Sequence, residues 1–596
     1  MLWYHFKVSN QEIAKLFRDV AAAYSIKNPK KFYFQMLAYQ KASEAIANST
    51  SELSDLYKEG KLEAVPGIGV TIKSRLVELF KRGRVSYFDS VFRGIPPSVF
   101  ILIEVPSIGP KKAYKLTTTL SLNNPETVIK DLLAKAKNHE IAKIPTFGEK
   151  SEQDIVRALL EYKEGKGKTT RMVLPYAGEI AEKVLSYLRE SPSIAKAVPL
   201  GSLRRMMPTV GDIDIAAATD NPKEAIEHFV SYPYKDRIIE KGTATASILT
   251  SGGAQVDLMT QPIDGFGALL QHFTGSKDHN VHLREYALKK GLSLSERGIK
   301  DLKKNKKLRK FDTEESFYNA LGMSWIPPEI REDKGEIELA INHNLPRLVE
   351  LSDIKGDLHI HSKFPIEPSH DLGQTAIKEM SEYAKKLKYE YIGFSEHNPS
   401  ISKHNKNQIY SLIARRNEHI EQVKSNIKNI RIIKLLEIDI LGSGELAVDD
   451  KSMDLLDGAI VSIHSSFATN KEEMTKRVLT GLSHPKAKIL AHPTGRLLNE
   501  RKGYELDFDQ IFDFCKKNNK ALEINSWPAR LDLPDLLIKE AVDNGVKLVI
   551  NTDSHEVSQM DLMKYGVATA RRGWAGKFDI INTLSYSEFA EWLKAR

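Results

Sequence analysis

A multidomain fold is expected: helical at the N-terminus, α+β through the middle, and a distorted parallel (β/α)7 barrel at the C-terminus. Three observations predict it. The chain has 596 residues, more than one hydrophobic core usually organises. The segment Val65-Pro66-Gly67-Ile68-Gly69 returns as Val105-Pro106-Ser107-Ile108-Gly109, each copy ahead of a basic helical stretch. From Asp353 onward seven short apolar strands alternate with helical or loop stretches: GDLHIH, YEYIGFSEH, IRIIKLLEIDIL, GAIVSIHSS, AKILAHP, KALEINS and KLVINTDSH.

The composition narrows the class. Hydrophobic content of 41% with 28% charged residues describes an ordinary globular chain rather than a disordered one. No apolar run reaches the roughly 18 residues of a membrane span. MLWYHFKVSNQEIAKLF lacks a basic start followed by an apolar core, so no secretory signal is expected. The single cysteine, Cys515, cannot form an internal disulfide, which fits a reducing cytoplasm. A net charge of +9 suits a polyanionic partner, although many basic proteins bind no nucleic acid.

In chain order, Ile13, Leu16, Phe17 and Val20 have helical spacing. The two Pro-x-Ile-Gly turns that follow free backbone N–H groups to face a phosphate. Gly67, Gly69 and Lys73 in the first copy, and Gly109, Lys111 and Lys112 in the second, are the candidate DNA-backbone contacts. The bland alternative is a helical hairpin with a glycine turn. Strands are expected near 196–201, 211–218, 238–241 and 254–260, then a small α+β module over 263–327. The run Lys300 to Lys310 holds seven Lys or Arg residues in eleven and reads equally as a solvated loop or a DNA-backbone contact.

In the stretch TVGDIDI, Asp212 and Asp214 lie on one face of a strand and repel each other. Asp257, in AQVDLMT, sits on another expected strand. Converging carboxylates are neutralised by divalent cations, and a pair of ions ~3.5–4 Å apart supports phosphoryl transfer. Upstream, Gly201-Ser202-Leu203-Arg204-Arg205 offers backbone, hydroxyl and guanidinium donors to a triphosphate.

Gly201-Ser202, Gly211-Asp212-x-Asp214 and Asp257, with Phe273-Thr274-Gly275-Ser276, Asn280 and Arg284, resemble the family X DNA polymerases, relatives of polymerase beta. The hairpins match that family's helix-hairpin-helix elements. The resemblance implies a nucleotidyltransferase palm and an α+β thumb. Asp212, Asp214 and Asp257 would be catalytic and hold two Mg²⁺ or Mn²⁺ ions. Gly201, Ser202, Arg205, Gly211, His272, Phe273, Gly275 and Asn280 would bind the dNTP, and Arg284 the template. The sequence departs from the family at His272, where a tyrosine is expected, at Val210 for a serine and at Gln255 for an arginine. Arg75 stands where the family's deoxyribose-phosphate lyase needs a Schiff-base lysine; it stays protonated, so no strong lyase activity is expected. Lys73 is the nearest amine.

In the C-terminal half, His359, His361, His397, His464, His492 and His555 fall at or just after strand ends, with Glu437 and Asp553 similarly placed. Mixed imidazole and carboxylate donors suit zinc, manganese or iron. GDLHIHS, SEHN, LLEIDIL, VSIHS, LAHP and NTDSH resemble the polymerase-and-histidinol-phosphatase (PHP) domain. That implies up to three Mn²⁺ or Zn²⁺ ions held by those eight residues and one more, and a phosphoesterase that is commonly a 3′–5′ exonuclease. The remaining ligand is expected at Asp371, with His370 its rival.

The expected domains are a helical DNA-binding domain with a helix-hairpin-helix over 1–90, a second over 91–150, the palm over 151–262, the nucleotide-binding thumb over 263–330, a linker over 331–352, and the PHP domain over 353–596. The resemblance implies a DNA-directed DNA polymerase for gap filling in base excision repair, with a metal-dependent exonuclease. Its partners would be gapped or primed duplex DNA and dNTPs. It would act in the cytoplasm, without a membrane, as a monomer. Competing readings are a template-independent nucleotidyltransferase and a polymerase with an inactive, structural PHP domain.

Overall fold

The computed structural model describes residues 10–47, 53–58, 60, 62, 68–105, 108–145, 147–163, 171–302 and 307–595. The chain divides into two compact units. One comprises Met1–Met172, Tyr176–Val198 and Gly211–Thr260; the other comprises Val173–Pro175, Pro199–Val210 and Gln261–Arg596. The division runs through the stretch expected to be the palm. Pro199–Val210, with Gly201, Ser202 and Arg205, belongs with the C-terminal residues.

The first unit begins with helices from Asn10–Lys27 to Glu149–Lys163. They share one apolar core that includes Phe17, Leu76, Leu79, Val99, Leu116 and Leu132. The helices Val70–Arg82 and Pro110–Thr119 start alike: Gly69 (φ −73°, ψ 170°) and Gly109 (φ −75°, ψ 169°) are extended N-caps without a side-chain cap. A five-stranded sheet follows, in the order Lys196–Pro199, Ile213–Ala218, Gln255–Gln261, Thr245–Thr250, Lys235–Lys241. The apolar run from Ile215 to Ala218 is fully buried, as an inner strand requires. Thr245–Thr250 is a strand the sequence reading missed. Its inward residues, Ala246, Ile248 and Thr250, include only one large apolar side chain, so the alternation is faint.

In the second unit, the helices Phe266–Thr274, Lys277–Lys289 and Glu314–Leu321 pack around Leu283, Phe317, Tyr318 and Ile330. The basic run near 300–310 is flanked by the antiparallel strands Gly298–Asp301 and Leu308–Arg309, with Leu308 opposite Lys300; residues 303–306 lie outside the described residues. The stretch 331–352, expected to be a linker, is folded instead. It carries the helix Glu336–Ile341, and Arg331, Glu336 and Ile337 are buried. Its charges misled the sequence reading because they are paired inside: Arg331 and Arg204 both hold Glu314 at 2.6 Å, and Glu336 meets His279 at 2.6 Å.

Seven parallel strand positions follow: Gly356–Ile360, Tyr391–Phe394, a position broken into Arg431–Lys434 and Glu437–Asp439, Ala459–Ser462, Ala487–Leu490, Ala521–Asn525 and Lys547–Asn551. First and last meet through a parallel bridge between Ile360 and Ser554. The C-terminal helix Tyr586–Lys594 adds Phe589 and Trp592 to an apolar cluster with Leu358, Tyr391, Ile460 and Val549. Among the described residues no helix is long and apolar enough to cross a membrane.

Candidate metal centres and nucleotide pocket

Neighbouring strands bring the palm carboxylates together. Asp212, Asp214 and Asp257 each offer an oxygen, and these oxygens lie within 4.8 Å of one another. Gln255, two residues before Asp257 and on its face of the strand, donates Nε2 to both Asp257 oxygens at 3.0 Å. A neutral amide thus stands where the resemblance expects arginine. Burial, then the charges of Asp212 and Asp257, push Asp214 up to about 7. Mutually repelling oxygen donors of this kind fit hard divalent cations such as Mg²⁺ or Mn²⁺. Gly211, beside the triad, approaches Arg171 closely enough that a Cβ would stand 3.3 Å from its guanidinium.

In the second unit, the Gly201–Arg204 turn and the end of the helix Phe266–Thr274 form one framework. Gly201 has φ +56° and Gly275 φ +70°, a region that favours glycine. A Cβ on Gly275 would meet Arg205 Nη1 at 3.0 Å. Arg205 donates Nη1 to the Thr274 carbonyl (2.6 Å) and Nε to Glu332 (2.9 Å), which leaves Nη2 for a ligand. Asn280 donates to the His272 carbonyl at 2.7 Å and accepts from Gln271 at 2.8 Å, so its amide braces the 271–275 segment. Phe273 is exposed, in edge contact with His272, and burial lowers the His272 imidazole. Arg284 is exposed and tied to the backbone by one bond to the Asn280 carbonyl.

Of the hairpin residues, Gly69, Gly109, Lys111 and Lys112 are exposed at or beside helix starts, and Lys73 is half-buried in the first turns of its helix. Gly67 lies outside the described residues. Arg75 stacks its guanidinium over Tyr87 at 4.4 Å.

The barrel brings all eight expected strand-end ligands to one place, at the C-terminal strand ends where such barrels carry their sites. Glu437 is the hub. Its carboxylate lies near imidazole nitrogens of His492 (2.9 Å), His397 (3.0 Å), His359 (3.2 Å), His464 (3.3 Å) and His361 (3.5 Å). Asp553 approaches His361 at 3.2 Å and His359 at 3.5 Å. Asp371 faces His397 at 3.2 Å and His555 at 3.6 Å, whereas His370 turns to Asp439 at 3.2 Å. His370, Asp439 and His464 bring their donor atoms within 4.8 Å of one another, so both rivals lie beside the imidazole cluster.

This donor set fits metal ions. Imidazole nitrogens of His359, His361, His397, His492 and His555 are buried without a hydrogen-bond partner, an expensive condition that a cation relieves. Burial opposes charge on Glu437, yet the His397, His359 and His464 imidazoles hold its carboxyl well below the usual range. Burial, with the neighbouring His555 and His397, lowers His361 to about 3.

Two carboxylates that hold imidazoles of the cluster escaped the sequence reading. Glu523 is fully buried and accepts from His359 Nδ1 at 2.6 Å and from the His492 backbone N–H at 2.7 Å. Asp439 pairs with His464 Nδ1 at 2.7 Å. Both fix the orientation of an imidazole whose other nitrogen faces Glu437. The signals were present: Asp439 is two residues after Glu437 on one strand, and Glu523 is a lone charge within the apolar strand ALEIN.

Family models match a helix-hairpin-helix domain over residues 8–85, a SAM-like helix-hairpin-helix tandem over 100–160, a DNA polymerase beta thumb over 269–332 and a PHP domain over 357–527. The chain is 34% identical to the DNA polymerase/3′-5′ exonuclease PolX of Bacillus subtilis, over 98% of this chain and 99% of that protein. It is 22% identical to DNA polymerase lambda of Rattus norvegicus, over 49% of each. A probable phosphatase of Syntrophotalea carbinolica is 22% identical over 28% of this chain and 65% of that protein.

Proposed function

This chain belongs to the family X DNA polymerases that carry a PHP domain, and from that membership we propose an enzyme with two opposed activities on DNA 3′ ends. The palm extends a primer into a gap by nucleotidyl transfer, and the barrel removes 3′ nucleotides by hydrolysis. The observation that carries the reading is the presence of two separate donor sets, three carboxylates in the palm and a histidine-rich cluster in the barrel.

In the palm, Asp212, Asp214 and Asp257 hold two Mg²⁺ or Mn²⁺ ions. Bound there, the ions would acidify the primer hydroxyl and stabilise the leaving oxygen. Gln255 orients Asp257 for that task. Gly201, Ser202 and the free edge of Arg205 take the triphosphate, while His272, Phe273, Gly275 and Asn280 shape the space for the incoming nucleotide. The hairpin glycines and lysines grip the DNA backbone without reading its bases, and Arg284 contacts the template. In the barrel, His359, His361, Asp371, His397, Glu437, His464, His492, Asp553 and His555 hold up to three ions, with Mn²⁺ favoured over Zn²⁺. Those ions would supply an activated water for phosphodiester hydrolysis. Glu523 and Asp439 keep His359 and His464 in the tautomers that present Nε2. We divide these tasks among residues 1–90, 91–150, 151–262, 263–330 and 353–596. We place the action in repair, on cytoplasmic DNA, by a monomer.

A gapped duplex incubated with Mg²⁺ or Mn²⁺, with and without dNTPs, tests the reading. We expect templated extension with dNTPs and 3′ shortening without them in Mn²⁺. Extension that ignores the template would favour a terminal nucleotidyltransferase. Absent shortening, together with a metal-free barrel, would make the PHP domain structural.

A further inference from the structure

We propose that Arg572, on the barrel helix Met563–Arg572, is a positioning residue for the polymerase's nucleotide pocket. Its side chain is 2% exposed and spans two tasks. Nη2 donates to Asp535 at 2.7 Å, within the barrel. Nη1 donates to residues that precede the barrel in the chain: to the carbonyl of Arg205 at 2.8 Å, to Glu332 at 3.0 Å and to the Glu329 carbonyl at 3.3 Å. The neighbouring Arg571 holds Glu329 at 2.8 Å, so two consecutive arginines clasp the same segment.

The consequence falls on Arg205, and the inference rests on the reading that Arg205 binds the triphosphate. Glu332 Oε1 is shared by Arg205 Nε at 2.9 Å and Arg572 Nη1 at 3.0 Å. Two guanidinium groups thus divide one carboxylate. Arg205 Nη1 is fixed on Thr274, and Nη2 is the edge left for phosphate oxygens. With Arg572 in place, Glu332 orients Arg205 without neutralising it fully. Without Arg572, Glu332 turns its whole charge on Arg205, and the Arg205 carbonyl loses a charged donor. Barrel stability alone gives no reason for this reach, because Asp535 already supplies Arg572 with a counter-charge. The exonuclease domain therefore helps to set nucleotide affinity in the polymerase.

The test uses the full chain carrying Arg572→Gln, assayed for extension on gapped DNA over a dNTP titration. Exonuclease activity without dNTPs and the melting temperature are measured alongside. We expect the dNTP KM to rise about tenfold, the scale of one charge-assisted bond, with kcat changed less than about twofold and exonuclease rate retained. Adding Glu332→Gln should return KM to within about threefold of the parent, because the unshared carboxylate is what captures Arg205. An unchanged KM in Arg572→Gln overturns the proposal. So does a joint fall of KM performance, kcat, exonuclease and melting temperature that Glu332→Gln does not relieve, since that marks a merely structural residue. If Arg572→Gln does not fold, Arg572→Lys decides in the same way: one amine cannot serve Asp535, Glu332 and the Arg205 carbonyl together. A parent protein that fails to extend primers defeats the polymerase reading itself, a result separate from these.

Discussion

The palm gathers Asp212, Asp214 and Asp257, the barrel gathers Glu437 and Asp553 with Glu523 and Asp439 behind its imidazoles, and the two treat their carboxylates oppositely. In the palm the carboxylates face one another, with the neutral Gln255 as side-chain donor, and Asp214 is pushed up to about 7 by burial and its neighbours' charges. In the barrel burial is greater, yet Glu437 and Asp553 stay well below the ordinary range because imidazoles surround them. The difference teaches what sets the behaviour of a metal site before any ion arrives. An all-carboxylate site is held apart by its own repulsion and gains most from a hard cation delivered with the substrate. A site with built-in imidazoles is neutralised internally and must release protons to take up metal. His397 illustrates this: burial opposes its charge, but Glu437 and Asp371 raise it to about 10.

The largest expected effects break the two sites apart. Asp257→Ala should lower primer extension by at least ~10³-fold, some 4 kcal/mol of activation free energy at 1.36 kcal/mol per tenfold, and leave 3′ degradation intact. His359→Ala should do the reverse. Both rates are read on the same labelled gapped duplex. One variant that abolishes both activities would mean the sites are not independent, and the comparison would fail.

A smaller effect sharpens the barrel side. Glu523→Gln preserves shape and a hydrogen-bonding group but removes the charge that fixes His359 Nδ1–H. We expect metal affinity or exonuclease activity to fall about 10- to 100-fold, the usual cost of losing an outer carboxylate, with extension unchanged. Asp439→Asn should act in the same direction through His464, and more weakly, because Asp439 is partly exposed and also serves His370. Metal stoichiometry measured after dialysis separates lost binding from lost chemistry. Full metal occupancy with full activity in Glu523→Gln would remove the orienting role.

Much of this was legible in the sequence, for reasons that differ by region. Asp212, Asp214, His359 and His361 were found because alternate residues on a strand share a face, and a polar pair on one face of an apolar strand is costly unless a ligand compensates it. The seven barrel strands were found from apolar runs of the right length. Glu523 and Asp439 were missed because their role is to hold another side chain, and that pairing spans 164 positions for Glu523 and His359. The stretch 331–352 read as a linker because sequence shows charges and not their partners: Arg331 finds Glu314, and Glu336 finds His279. The long-range partners of Pro199–Val210 were equally hidden: Arg204 meets Glu314, and Arg205 and Arg572 both meet Glu332, all far along the chain.

The smallest effect tests the palm's half of the comparison through pH. Asp214 has its folded value raised to about 7 from an ordinary 3.8, so the metal-free folded state binds its proton more tightly than the unfolded chain does. Stability contributed by that proton is therefore present at acid pH and lost as pH rises from about 4 through about 7. Cations compete for the same oxygens. Below about 7 they must displace the proton, so apparent Mg²⁺ affinity should drop by at most about tenfold per pH unit, and above about 8 it should level off. The reading is the Mg²⁺ concentration for half-maximal extension between pH 6 and 8.5. Gln255→Arg should shift this curve toward acid pH: a guanidinium beside Asp257 adds the counter-charge the triad lacks, and it should also weaken Mg²⁺ binding by competing for Asp257. A half-maximal concentration that does not move between pH 6 and 8 would show that repulsion within the triad does not govern metal entry, and would erase the contrast with the imidazole-buffered barrel.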